Sequence, residues 1–400
     1  MLKSKMDYMK IKKIKGEKLT KSVLSFFTGV GLLDMGFRSA DFDIVWHNEL
    51  NTDFITGFKH GHSKLYGVNS EDINLFEGSI ETISKSLVKA NVPSGLIDNH
   101  DFGIIGGPPC PDFSNAGKNL GKDGENGKLT GIFVDIINDF RPMFFTLENV
   151  KGLIQKSTHR KYLADLLYKL SKGYCFDIKV LNSLDYGIPQ DRERLFVVGF
   201  KKSFIFDKLD YASLIEIEKI NLQLIIELKK EKISSLEKFN WFSWPVNPLY
   251  TNARERFPWP QRTPYGGNPA KPDDLPNSLL VQDIVFTPSI ENLPNQNDVF
   301  KAYSDKFKII DEGDITGKSF KRLHRWRFSP TAAYGNNEVH LHPYKPRRLS
   351  VREVMRIQSV PDKFELPDNM TLSSKFKTIS NGVPVVLAKE IAQSISNFIE

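Results

Sequence analysis

The chain holds two cysteines, Cys110 and Cys175, and Cys110 stands where a thiol could do chemistry. It lies in Gly106-Gly107-Pro108-Pro109-Cys110-Pro111-Asp112-Phe113-Ser114. Three prolines and two glycines restrict the backbone around it, at the C-terminal end of an apolar strand. That is the edge where open parallel sheets bind ligands. A free cysteine usually fills a core, an odd role for a residue bracketed by prolines; Cys175 sits in a strand-like run and suits the core. A second strand ends in Thr146-Leu147-Glu148-Asn149-Val150, so Glu148 projects at the same edge. A carboxyl beside a thiol can stabilise a protonated ring nitrogen while sulfur attacks the ring. Gln190-Asp191-Arg192-Glu193-Arg194 then sets two guanidiniums in alternate register on one strand face. Such a pair suits phosphate and a base carbonyl, or equally surface ion pairs with Glu193 and other acids.

A further site is expected at the first strand. Ser25-Phe26-Phe27-Thr28-Gly29-Val30-Gly31 joins a strand to a helix, and its glycines let the turn approach a ligand at a helix N-terminus. Glu49, at the end of the next strand, could accept both ribose hydroxyls of a nucleoside cofactor; Asp72-Ile73 suits an adenine amino group and its apolar face. The same residues also describe a plain tight turn and a solvated strand end. A dinucleotide fingerprint would want glycine at position 34, where Asp34 stands, which leaves room for a smaller nucleoside. After the thiol, glycines alternate with Lys118, Lys122 and Lys128, the composition of a cationic loop able to close over a polyanion or of an ordinary surface loop.

The elements that must hold these residues alternate over 22–200. Strands are expected at Val23–Phe27, Ile44–Trp46, Phe102–Ile105, Met143–Leu147, Phe176–Leu181 and Leu195–Phe200, with helical spacing between several of them, clearest in Lys161–Leu170. Residues 213–237 read as a helical insertion and 241–278, rich in proline and aromatics, as irregular connection. Residues 295–345 mix short strand-like pieces with glycine and basic residues. Helices return over Val351–Ser359 and from Val385. The layout expected is a basic tail (1–21), a sheet domain (22–200), a smaller irregular domain (201–345) and a segment returning to the first (346–400). With 400 residues, 40% hydrophobic and 26% charged, the composition is that of an ordinary soluble protein. No run approaches the ~18 apolar residues of a membrane span, and Lys10, Lys12, Lys13 and Lys15 precede no apolar signal core. A cytoplasmic location follows as the expectation. The net charge of +7 favours an anionic partner. Two thiols cannot build a disulfide framework or a four-cysteine zinc site, and no metal is expected.

Taken in order, these segments resemble the cytosine-5 DNA methyltransferase family, above all its bacterial restriction–modification members, over residues 22–200 and 341–398. Phe27-Thr28-Gly29-Val30-Gly31, Glu49 and Asp72-Ile73 resemble the family's first three motifs. Pro108-Pro109-Cys110 resembles its nucleophile motif and Glu148-Asn149-Val150 its glutamate partner. Asp185-Tyr186-Gly187-Ile188-Pro189-Gln190 with Arg192 and Arg194 is similar to its arginine-pair motif. Arg348-Leu349-Ser350-Val351-Arg352-Glu353, with Arg356, Gln358 and Pro361, and then Asn381-Gly382-Val383-Pro384, resemble the last two. Departures are Ser25 for the usual aspartate, Leu32 for a glycine, Pro111 for a common glutamine, Leu129 for an arginine, and Ala332 after Thr331 where a Thr-Leu pair is usual.

The resemblance implies a Rossmann-like, doubly wound α/β sheet dependent on S-adenosylmethionine, with a target recognition domain over about 201–345. It implies Cys110, Glu148, Arg192 and Arg194 as the catalytic set. Phe27, Thr28, Gly29, Gly31, Leu32, Glu49, Asp72, Ile73, Gly107, Pro109, Ile132, Asn381 and Val383 would line the cofactor. Ser114, Lys118, Lys122, Lys128, Arg325, Arg327 and Thr331 would meet double-stranded DNA. The activity implied is methyl transfer to carbon 5 of a flipped-out cytosine, by a monomeric bacterial or phage-encoded enzyme working beside a restriction endonuclease of the same site. The rival readings are a transfer-RNA methyltransferase on the same scaffold, a catalytically inactive DNA-binding relative, and a nicotinamide-dependent dehydrogenase, which explains only the glycine turn and Glu49.

Overall fold

The computed structural model describes residues 21–109, 125–317, 319–331 and 339–400. The first strand, β1 (Ser22–Phe26), runs into α1 (Leu32–Arg38), followed by β2 (Asp43–Glu49), α2 (Thr52–Tyr66), the short β3 (Leu75–Glu77) and β4 (Gly103–Gly106). Then come α3 (Glu125–Phe140), β5 (Phe144–Val150), α4 (Ser157–Leu170), β6 (Tyr174–Asn182), β7 (Gln190–Asp191) and β8 (Glu193–Lys201). All six expected strands are present. β3 and β7, of three and two residues, are too short to show a period.

Seven strands form one sheet in the order β3-β2-β1-β4-β5-β8-β6. Its pairs are parallel except those of β8, antiparallel to both β5 and β6. Chain direction along the sheet reverses between β1 and β4. The turns leaving these two neighbours therefore flank the crevice where such sheets bind ligands. Val23, Leu24, Ile104, Phe144, Phe145 and Val198 are wholly buried, as strands covered on both faces require.

The expected domain boundary at residue 201 moves. Helix α5 (Tyr211–Leu228) packs on α4, and its Leu224, Ile225 and Leu228 join the core beneath α3 and α4. Ile205, Leu214, Ile217, Phe242 and Trp244 join the core on the other face. Burial of these side chains makes residues up to about 244 part of the sheet domain. The proline-rich stretch beyond is irregular, as expected, and carries only short pieces, among them β9 (Phe320–Arg322), β10 (Ser329–Pro330) and β11 (Val339–Leu341).

The C-terminal segment comprises α6 (Val351–Ile357), α7 (Leu372–Asn381) and α8 (Val385–Ile399). Ser350 and Glu353 close a capping box that starts α6. Helix α8 packs on α1, where Gly36 lies so close that an added Cβ would be 2.8 Å from the Ala388 carbonyl carbon. A side chain there would push α8 off α1. No helix among the described residues is long and apolar enough to cross a membrane.

Candidate active site

Glu148 lies two residues before the end of β5 with its side chain buried. Gly106 of β4 is in register with Leu147, so Gly107 and Glu148 leave the sheet side by side. A Cβ on Gly107 would stand 2.8 Å from Glu148 Oε2; glycine is needed for the carboxyl to lie against this backbone. Arg194, in register with Val150 on β8, brings its Nε to 3.1 Å from Glu148 Oε1. Burial raises the carboxyl's pKa, and the guanidiniums of Arg194 and Arg192 oppose that rise. The result is a carboxyl able to hold or share a proton at the mouth of the switch-point crevice. Cys110, three residues past Gly107, lies outside the described residues, as do Ser114, Lys118 and Lys122.

The two arginines separate. Arg192 is wholly buried and donates through Nη2 to the carbonyls of Ser380 (2.7 Å) and Gly382 (2.9 Å). It therefore ties the C-terminal segment to the sheet, and its influence on Glu148 is electrostatic. The expectation of two guanidiniums sharing one substrate-facing surface is corrected accordingly. Alternate register alone does not show that Arg192 falls in the break between β7 and β8, where it lies against the end of α7, while Arg194 is within β8.

At the cofactor end, Phe27, Gly29 and Gly31 take positive φ (53°, 60° and 80°), which folds the turn over the ends of β1 and β2. Glu49 Oε2 accepts from the Gly29 N–H at 2.8 Å, while Oε1 accepts from the Leu50 and Asn51 N–H groups. The carboxylate is thus fixed, with Oε2 retaining acceptor capacity toward a ligand. Gly29 is open: an added Cβ would find no other atom nearer than 4.0 Å, Thr378 Oγ1. Thr28 donates its N–H to the Asn48 carbonyl at 3.0 Å. Ile132 is half-buried against the core, and Ile73 is half-buried after the exposed Asp72 in a short turn before β3. Pro109 is half-buried and Asn381 exposed.

Two cofactor expectations change. The Leu32 side chain is buried in the core with Met35 and Ile379 and lies under Gly382, and Val383 is buried against the other face of the sheet. Both can offer a ligand only backbone.

Beneath this turn is a network that the sequence reading missed. Ser25 Oγ donates to Asp34 Oδ1 at 2.6 Å and meets Thr28 Oγ1 at 2.9 Å. Asp34 Oδ2 faces His47 Nε2 at 3.6 Å. Ser25, which stands for the aspartate expected from the family resemblance, thus bonds a carboxylate that reaches it from α1. The signal available was Ser25, a departure from the family's motif, together with Asp34, which stands where a dinucleotide fingerprint would have glycine.

On the DNA side, Lys128 is exposed on α3. Thr331 Oγ1 donates to the Asp191 carbonyl at 2.6 Å, next to Arg192, and β10 pairs with β7 through Ser329↔Gln190. Arg325 is committed elsewhere: it forks onto the buried Glu312 at 2.9 Å and donates to the Gly267 carbonyl. An arginine so bound braces its own domain, which corrects its expected place on DNA. Arg327 keeps its side chain half-buried over Phe328.

Comparison with known proteins agrees with this geometry. The family model for C-5 cytosine-specific DNA methylase matches residues 21–397. Type II methyltransferase M.NmeDI of Neisseria meningitidis serogroup C is 41% identical over 97% of this chain and 86% of its own. Type II methyltransferase M.FnuDI of Fusobacterium nucleatum is 29% identical over 93% of each. Among solved structures, the Entamoeba histolytica methyltransferase EhMeth aligns with a TM-score of 0.56 at 13% identity, over 96% of this chain and all of the other. The S. pombe Dnmt2 methyltransferase aligns at 0.55 and 13%, over 94% and 97%; at such identities the likeness concerns the fold. With a match from end to end and a carboxyl–arginine pair at the crevice of a methyltransferase sheet, this chain belongs to the C-5 cytosine-specific DNA methylase family and is a DNA cytosine methyltransferase.

Proposed function

We propose that the protein methylates carbon 5 of a cytosine flipped out of a specific sequence in double-stranded DNA, using S-adenosylmethionine, as the modifying partner of a restriction endonuclease in a bacterial or phage host's cytoplasm. The observation that carries this is the buried Glu148 carboxyl, paired with Arg194 and lying against Gly107, three residues before the only proline-bracketed thiol. The cofactor end fits a nucleoside. A fixed carboxylate, Glu49, stands over an open glycine turn, and half-buried Ile73 and Ile132 offer apolar surface.

Cytosine is a poor nucleophile at carbon 5. The Cys110 thiolate attacks carbon 6, forming a carbon–sulfur bond, while Glu148 holds the proton that the ring nitrogen takes up. Arg194 fixes the Glu148 carboxyl and stabilises its charge after proton transfer. The ring double bond then lies between carbon 4 and carbon 5, an enamine with the exocyclic amine, and carbon 5 becomes nucleophilic. S-Adenosylmethionine supplies an electrophilic sulfonium methyl group, which ends on carbon 5. Loss of the carbon 5 proton to water expels the thiolate, the ring nitrogen returns its proton to Glu148, and the neutral aromatic ring is restored. Glu49 and the Phe27–Gly31 turn hold the nucleoside end of the donor, and Arg192 keeps the 380–383 backbone closed on the sheet.

Incubation with unmethylated duplex DNA and S-adenosylmethionine, followed by base-resolution mapping of 5-methylcytosine, tests the reading. Methylation at one recurrent sequence is expected; no 5-methylcytosine, or methylation of RNA in preference to duplex DNA, overturns it.

A further inference from the structure

The arginines of the irregular region have partners that explain them, with one exception. Arg254 pairs with Asp191; Arg256 donates to the Pro248 carbonyl at 3.0 Å. Arg262 pairs with Asp314 at 3.2 Å, and Arg322 donates to the carbonyls of Ile310 and Phe307. Arg325 pairs with Glu312 at 2.9 Å and Arg347 with Glu353 at 2.6 Å. The Arg327 guanidinium makes no hydrogen bond among the described residues, and its Nε is buried without a partner. The carboxylate that acts on it electrostatically, Asp191, is already taken by Arg254 and Asn182.

The side chain is nevertheless held in place. Its guanidinium carbon lies 5.1 Å from the centroid of the Phe328 ring, and that ring is buried edge-on to Trp259 at 4.7 Å. The Arg327 backbone is fixed at both ends, its N–H on the His324 carbonyl and its own carbonyl accepting from Val281. Two residues on, β10 pairs with β7, the strand that leads into Arg192 and Arg194. At about 3.3 Å per extended residue, Arg327 stands within a few base-pair steps of Thr331 and the catalytic edge. A part-desolvated, oriented guanidinium with no partner among the described residues is costly to keep, and the cost is offset when a ligand with matched acceptors arrives. A guanine edge offers two, O6 and N7, at the spacing of the guanidinium fork. A phosphate would accept a flexible, solvated lysine as well; the rigid platform favours a reader of bases.

We propose that Arg327 is a specificity-determining residue that reads a guanine close to the target cytosine. The inference rests on the DNA-modifying reading above. Its test methylates a duplex library randomised around the target site with wild type, R327K and R327Q, and maps 5-methylcytosine by sequencing. One position should lose its guanine preference in both variants, with kcat/KM on the wild-type site falling about ten- to one-hundredfold and other positions keeping their preferences. Lysine is included because it keeps the charge and stem, and with them the fold, but not the fork. Restoration of wild-type behaviour by lysine would assign a phosphate contact and overturn the proposal. So would a uniform loss at all sequences with an unchanged preference, or no change at all. A wild-type enzyme that leaves no 5-methylcytosine would instead defeat the underlying functional reading.

Discussion

Arg194 Nε and Glu148 Oε1 stand 3.1 Å apart between two antiparallel strands, with the carboxyl buried. The pair sets opposite influences on one proton: burial favours the neutral acid and the guanidinium favours the carboxylate. Replacing Glu148 by glutamine should lower kcat by about two to four orders of magnitude, the usual scale for a positioned acid–base group. Arg194→Gln removes the larger of the two influences that lower the pKa, so the protonated form should persist to higher pH. The basic limb of the kcat–pH profile should move upward. An unmoved limb would separate Glu148 from the proton transfer.

Cys175 gives an internal control for Cys110. It lies wholly buried in β6 and burial pushes its thiol up to about 12, which leaves almost no thiolate near neutral pH. A duplex carrying 5-fluorocytosine at the target should become covalently trapped on the wild-type protein in the presence of S-adenosylmethionine. Fluorine cannot leave as a cation, so elimination stalls. Cys110→Ser should abolish the band that survives denaturing electrophoresis, and Cys175→Ser should keep it. Trapping that survives Cys110→Ser would refute the nucleophile assignment.

Glu49 both holds the Gly29 N–H and faces the cofactor end. Glu49→Ala should weaken S-adenosylmethionine binding by on the order of 1.5–3 kcal/mol, the scale for losing a charged hydrogen-bond partner. Calorimetry on the free enzyme measures it; equal affinity would reduce Glu49 to a strand-end brace.

Asp34 should make stability pH-dependent. His47 Nδ1 faces the Asn74 carbonyl at 3.1 Å and so carries the ring proton, leaving Nε2 as an acceptor opposite Asp34 Oδ2. Neither atom has a hydrogen-bond partner. Desolvation raises the Asp34 pKa from 3.8 to about 6, against hydrogen bonds from Ser25 and Thr28, and lowers that of His47 to about 3. The folded state therefore binds the Asp34 proton more tightly than the unfolded chain does. Its stabilising effect is complete below about pH 3.8 and is lost as pH rises to about 6, on the order of 3 kcal/mol. Asp34→Asn keeps an acceptor for Ser25 and can direct an N–H at His47 Nε2, without that slope. Urea unfolding at several pH values should show the variant gaining on wild type across this window. Parallel curves would exclude titration of Asp34.

The strand positions of the large sheet were legible because an apolar run between turn-forming residues needs no distant partner to be recognised. Glu148, Glu49 and the glycine turn were legible for a related reason: in a parallel sheet, residues at strand C-termini share an edge whatever the helices do. Sequence by itself thus determined the fold class and which edge of the sheet gathers these residues. What it could not determine was which of two identical residues does what. Arg192 and Arg194 are two positions apart, yet one is bound by carbonyls 188 and 190 residues away and the other by Glu148. Arg325 and Arg327 part in the same way, since a buried Glu312 claims the first and not the second. The Ser25–Asp34 exchange depends on α1 folding back over β1, and the place of residues 202–244 on which face buries them. A side chain's partner is chosen by burial and by contacts far along the chain, and only the tertiary structure decided those.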